Sequence, residues 1–313
     1  MLITAVVVPG PPAFVAELMG SAAHELDDLR QVTDRVVSRA LSDLIAASTD
    51  SSFATPGPAS SPGPVSGAGS GSGSGSGSVA GSASRPGRGP AAGQVSASGS
   101  ASGQVSGSGS GSVQLVVVGP GEPGEFNAAG PVSFASFGRD VVLPALVVGQ
   151  RSDRDLPTPI MVARYLASRD LAAHPEHGDL WASARWTTTS GTDAAVLGAR
   201  LDADGARVAL ILVADGAACH GPKAPRAEDA RAQAYDDAVC AALASGRPGR
   251  LAQVDVDLGA QLGATGPQVW PLLATAAGGD MIGEVLWAGA PYGVGWAVAS
   301  WRLTTTDDMV TTA

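Results

Sequence analysis

A tract of 63 residues, 50–112, is built almost entirely of Gly, Ser, Ala and Pro, and it interrupts a chain of 313 residues after only 49 of them. Within it, residues 66–78 read SGAGSGSGSGSGS, and GQVSASGS at 93–100 is echoed by GQVSGSGS at 103–110. Such a tract has almost nothing to bury and loses the most backbone entropy on ordering, so a disordered insertion is expected there. The 250 residues outside it suit a single domain. The leading 49 offer one strand and one or two helices, too little for a core of their own. Lengthening a surface loop costs little free energy, so the tract is read as a tolerated expansion inside one folding unit. The expected organisation is one α/β domain formed by 1–49 and 113–303, an insertion at 50–112 and a flexible tail at 304–313.

The balance of the chain narrows the function classes. Hydrophobic residues make up 44% and charged residues 15%, so a sizeable core can be buried. A formal charge of −10 argues against general binding to nucleic acid or anionic membranes, both of which need a basic surface. No run approaches the roughly 18 apolar residues of a membrane helix, and the apolar start at 2–8 has neither the basic leader nor the length of a signal peptide. Two cysteines, Cys219 and Cys240, cannot make a disulfide framework or a four-thiolate zinc site. A soluble, cytoplasmic protein with a small-molecule ligand is the expectation.

Strand and helix alternate along the flanks. Residues 3–8 form a continuous β-branched run of the buried-strand type, closed by Pro9-Gly10-Pro11-Pro12. Residues 14–19 and 24–47 read as helical, the second with Leu29, Val32, Val36, Leu41 and Leu44 on one stripe. Further strands are expected at 113–118, 141–148, 180–188, 207–213, 282–287 and 294–302, and helices at 157–167, 193–201, 228–244 and 268–277. The pattern predicts an α/β fold with a mixed, largely parallel central sheet covered by helices on both faces. Trp287, Trp296 and Trp301 in the last strands are read as core or interface.

In such a sheet, ligands bind past the carboxyl ends of the parallel strands. Three loops qualify: 9–12, 119–127 and 215–226. The second, VVVGPGEPGEF, matches no phosphate-binding motif and carries Glu122 and Glu125. The third, ADGAACHGPKAPR, gathers Asp215, Cys219, His220 and Lys223 directly after a buried strand. Asp215 and His220 are the candidate catalytic acid–base pair, and Cys219 and Lys223 the candidate substrate-binding residues. Cys219 is not read as a nucleophile, because adjacent residues seldom direct their side chains at one another. His174-Pro175-Glu176-His177 spaces two imidazoles three apart, but Pro175 and Gly178 predict an exposed loop there. His24 is read as a surface residue beside Asp27 and Asp28. A metal centre would require two of the four histidines to converge beside a carboxylate.

TAVVVPGPPAFVAEL at the start, the VVVGPG strand end, LILVADGAACHGPKAP, GATGPQVWPLL and the closing APYGVGWAVASW occur in this order across nearly the whole chain outside the insertion. As an ordered set they resemble the actinobacterial members of the LigB-like family, the class III extradiol ring-cleavage dioxygenases and their relatives, to which Memo-like proteins are also related. The resemblance implies that family's α/β fold, in which active members hold Fe(II) near the carboxyl edge of the sheet and open catechol rings with dioxygen. It also implies a paired, homo-oligomeric assembly, and it makes His220 the counterpart of a non-ligand catalytic histidine. The family's ligand positions correspond to Gly10, to 119–121 and to Ala264 or Thr265. Glycine has no donor atom, and threonine is a poor sole ligand for Fe(II). The reading that follows is a degenerate member without the iron site and without a cofactor, which binds a small molecule or partner at the carboxyl edge of the sheet. The alternative is an active non-haem Fe(II) dioxygenase whose ligands come from non-aligned residues such as His174, Glu176, His177 or Asp215.

Overall fold

The computed structural model describes residues 1–49 and 112–303. The expected insertion, apart from its last residue Ser112, and the expected tail at 304–313 lie outside the described residues.

The chain opens with β1 (Leu2–Val8), every residue of which is buried. A 3-10 turn (Pro12–Phe14), the short α1 (Ala16–Met19) and a second 3-10 stretch (Gly20–Leu26) lead into the long α2 (Asp27–Thr49). Beyond the insertion come β2 (Val113–Pro120), β3 (Gly124–Phe126), and the two-residue strands β4 (Val132–Ser133) and β5 (Val142–Leu143). Next are α3 (Thr158–Ala173), a 3-10 turn (Pro175–His177), α4 (Gly178–Ala182), β6 (Arg185–Thr189), α5 (Gly191–Ala203) and β7 (Arg207–Val213). The remainder comprises α6 (Ala232–Ala244), α7 (Pro248–Leu251), α8 (Val256–Leu262), a 3-10 turn (Gly266–Gln268), α9 (Trp270–Ala276), β8 (Ile282–Gly289) and β9 (Trp296–Arg302).

The main sheet has the order β3-β6-β2-β7-β1-β9-β8. Strands β6, β2, β7 and β1 are mutually parallel, and β3, β9 and β8 add antiparallel edges. β1 and β2, on either side of the insertion in sequence, both pair with β7. The fold is therefore α/β with a mixed, largely parallel sheet.

Two cores follow from the period-two alternation of strand side chains. On one face Val6, Val8, Val117, Ile211 and Val213 pack with Leu41 and Leu44 of α2 and Ile160 and Leu166 of α3. On the other, Val7, Val116, Val118, Leu210 and Leu212 pack with Leu197 of α5, Val239 and Leu243 of α6 and Leu273 of α9. A strand covered on both faces is largely apolar, which is why β1 and β7 read as near-continuous hydrophobic runs; the exception within β1, Thr4, donates its hydroxyl to Trp301 O at 3.1 Å.

Three sequence expectations need correction. Residues 141–148 do not form a third long strand. Only Val142 and Leu143 pair, with β4, because Pro144 has no N–H to continue a ladder, and Val148 is 98% exposed. Residues 180–188 are strand only from Arg185; the first part belongs to α4, which sends Trp181 Nε1 to Asp170 Oδ2 at 2.7 Å. The helix expected at 14–19 is only the four-residue α1, entered by a 3-10 turn that ends at Phe14, and the helix expected from 24 starts at Asp27, after a 3-10 stretch that includes His24. Of the three late tryptophans, Trp296 and Trp301 are core residues, at 3% and 1% exposure, and Trp287 is packed at its edge.

Candidate functional site

The segment leaving β7 does not turn directly into α6. It first runs beside the entry to β9, where Gly216 N–H donates to Gly295 O and Gly295 N–H donates to Ala217 O, each at 2.7 Å. His220 N–H donates to Gly293 O at 3.1 Å, and Ala218 N–H to Leu262 O at 2.8 Å. Backbone bonds on two sides thus hold the loop that carries Asp215 and His220.

The His220 ring meets a carboxylate from α6. Nε2 lies 2.6 Å from Asp236 Oδ2, with both side chains largely buried. Asp236 Oδ1 accepts the Ala217 N–H at 2.9 Å, so both of its oxygens are engaged. The carboxylate fits only because two neighbours are glycines: a Cβ at Gly216 or at Gly295 would collide with it. Burial pushes the Asp236 carboxyl above its ordinary range, against the lowering by the Ala217 N–H and by His220.

Asp215 sits at the junction of three elements. Its Oδ1 accepts the Gly10 N–H at 3.0 Å, and its own N–H donates to Thr265 Oγ1 at 2.9 Å. Its carbonyl accepts the N–H groups of both Thr265 and Gly266 at 3.0 Å. Burial raises its carboxyl to about 6, with the Gly10 N–H opposing.

Asp215, His220 and Asp236 open on one cavity of about 220 Å³. Asp237 and Gln233 add polar lining, while Val7, Val239, Leu243, Trp270 and Trp296 supply apolar walls. It lies past the carboxyl ends of β1 and β7, where a parallel sheet offers its ligand crevice. A histidine oriented by a carboxylate, beside a second carboxyl near neutrality, is an arrangement suited to moving a proton on a bound molecule.

The residues expected from sequence divide in two. Asp215 and His220 both line the cavity, but His220 pairs with Asp236 and not with Asp215. Cys219 and Lys223 are not among the lining residues. Cys219 is buried at 2%, with Sγ directed at Leu262 O at 3.5 Å and its thiol pushed up by burial, and Lys223 is exposed. Asp236 was missed, although the sequence held a signal: it stands three and seven residues before Val239 and Leu243, on the apolar face of α6.

The positions that the family resemblance assigns to iron ligands do not fit a metal ion. Gly10 and Gly119 have no side-chain donor, and a Cβ at Gly119 would lie 2.6 Å from Pro159 Cβ. Thr265 Oγ1 is committed to the Asp215 N–H, and Ala264 offers nothing. Elsewhere, His24 is exposed and bonds Asp27. The 174–177 stretch departs from the exposed loop expected: it forms a 3-10 turn, and His177 is 1% exposed with Nδ1 2.8 Å from Asp170 Oδ2.

Fold and site together define an α/β protein with a His–Asp pair facing a small, largely apolar cavity at the carboxyl edge of its sheet. No family model matches the chain, and no curated protein matches it.

Proposed function

We propose that this is a LigB-like protein, related to the class III extradiol dioxygenases, that has lost the iron site and uses the carboxyl-edge cavity to bind a small molecule. The observation that carries the proposal is the convergence of the His220–Asp236 pair and Asp215 on one cavity of about 220 Å³. That volume suits a ligand of roughly one ring with its substituents. His220 exchanges a proton with the bound molecule, Asp236 orients the imidazole, and the tryptophan walls exclude water. Neither Arg nor Lys lines the cavity, so the favoured ligand presents hydrogen-bond donors or positive charge rather than an anionic group.

The alternative, an active Fe(II) ring-cleaving dioxygenase with non-aligned ligands, draws on His174, Glu176 and His177, the one convergent donor set with two imidazoles and a carboxylate among the described residues. These residues follow the carboxyl end of α3, at the opposite end of the sheet from the cavity. The degenerate reading is therefore preferred.

The test is metal analysis of anaerobically purified protein after Fe(II) loading, paired with oxygen uptake on a panel of catechols. No uptake is expected. Iron at the cavity with turnover would overturn the proposal. A small-molecule thermal-shift screen then compares the native chain with His220→Gln, whose amide can still donate to Asp236 and whose hits should disappear while the variant stays folded.

A further inference from the structure

We infer that His174, Glu176 and His177 form a binding site for one divalent transition-metal ion of the zinc class, separate from the cavity. The site's position follows from the two helices that bound it. Pro159 at the start of α3 packs against Gly119 at the carboxyl end of β2. The 16 residues of α3 span about 24 Å, so its far end lies near the amino ends of the strands. α2 ends there too, since Arg207, the first residue of β7, donates from Nη1 to Ala47 O at 2.6 Å.

Local geometry brings the donors together. Pro175 starts a 3-10 turn that folds His177 back onto the preceding His174, whose carbonyl accepts the His177 N–H at 3.1 Å. The rings of His174 and His177 accordingly stack, with centroids 5.1 Å apart and planes 21° from parallel. One ligand atom from each of His174, Glu176 and His177 lies within 4.8 Å of the others. Donors bonded to zinc at about 2.0–2.2 Å stand roughly 3.4 Å apart, so binding requires the side chains to rotate toward one another. His174 and Glu176 have that freedom, at 40% and 62% exposure.

His177 is the fixed member. Its Nδ1 is held by Asp170 Oδ2 at 2.8 Å, and Asp170 is itself held by Trp181 Nε1 at 2.7 Å and Ser38 Oγ at 2.5 Å. A buried carboxylate on one ring nitrogen is how proteins orient a metal-binding imidazole and keep the other nitrogen unprotonated. That other nitrogen, Nε2, has a single long contact, 3.4 Å, to Ser42 Oγ. The Ser42 hydroxyl donates to Ser38 O at 2.9 Å, and Ser42 is exposed, so Nε2 lies one side chain below the surface. Beside the buried Asp170–His177 pair, His174 Nδ1 and Glu176 Oε1 lie 3.1 Å apart at the surface, so a metal ion would replace that contact with bonds to both. Two imidazoles and one carboxylate match Zn²⁺ and its neighbours in the first transition row, not Ca²⁺ or Mg²⁺.

The experiment titrates Zn²⁺ alone into the chelator-treated full chain by calorimetry, with Co²⁺ visible absorption as a second readout. One ion per chain is expected. His174→Ala and Glu176→Gln should each weaken binding by at least about tenfold and shift the metal-free Tm little, because His174 is half-exposed and Glu176 exposed. His24→Ala should bind as the native chain does. His177→Gln disturbs a buried network, so the two exposed variants carry the test. Absence of saturable Zn²⁺ binding, or binding undiminished in both exposed variants, would overturn the inference. So would binding lost in His220→Ala but kept in His174→Ala, which would move the ion to the cavity.

Discussion

Asp215 carries the carboxyl whose ionisation is most displaced within the cavity, and its pH dependence has a definite sign. Burial raises the folded value to about 6, against an unfolded value of 3.8. Between these values the native state holds a proton that the unfolded state has released, so stability falls as pH rises through the window. Below it the two states are equally protonated, and above it the loss is complete, on the order of 3 kcal/mol at most. Asp215→Asn keeps the acceptor for the Gly10 N–H but removes the charge. Urea denaturation at pH 4, 5, 6 and 7 should show the native chain losing more stability than the variant across that range, and parallel curves would refute it. Gly295→Ala tests the neighbouring pair. Its methyl group would occupy the space of the Asp236 carboxylate, which has to move away from His220. We expect ligand binding to be lost and stability to fall by about 1–3 kcal/mol, the usual cost of overpacking. Reading the loop at 215–223 as the polar centre found Asp215 and His220. It could not find the carboxylate that pairs with His220, because a helix sixteen residues further on supplies it.

At the scale of elements, the strands that read as unbroken apolar runs were the legible ones: β7 occupies the expected 207–213, and β2 runs two residues past the expected 113–118. The less legible parts are held by polar groups from elsewhere in the chain. The largely irregular stretch at 127–157 is tied down by Arg164 of α3, which is fully buried. Its Nε donates to Ala128 O at 2.7 Å, its Nη2 to Pro144 O at 2.6 Å and Gly130 O at 3.4 Å, and its Nη1 to Ser168 Oγ at 3.2 Å. Burial draws the guanidinium down to about 10. Arg164→Met keeps much of the volume but leaves those carbonyls without their donor, at a cost of about 2–4 kcal/mol. Limited proteolysis should then cut near the exposed Val148 at lower protease concentration than in the native chain. A sequence pattern that weighs arginine as a surface residue has no means of anticipating this.

For the whole molecule, the decisive fact about the insertion is where its ends meet. Arg207 donates from Nη1 to Ala47 O at 2.6 Å and from its backbone N–H to Ser112 O at 3.0 Å, so both flanks converge on the start of β7. A six-residue Gly/Ser linker in place of 50–111 should fold to the same structure. Closing the shorter loop costs less chain entropy, so the variant should be as stable as the native chain or more so, by no more than about 2 kcal/mol. An insoluble or strongly destabilised variant would show that the segment does more than connect. The amino-acid sequence alone determined the α/β class, the buried central strands and the loop bearing Asp215 and His220, because these depend on the local order of apolar and polar residues. Only the tertiary structure decided that Asp236 orients His220, that Pro159 closes the space beside Gly119, and that His174 stacks on a buried His177. Each of those depends on which distant side chains a twisted sheet brings within a few ångströms, and no local pattern records that distance.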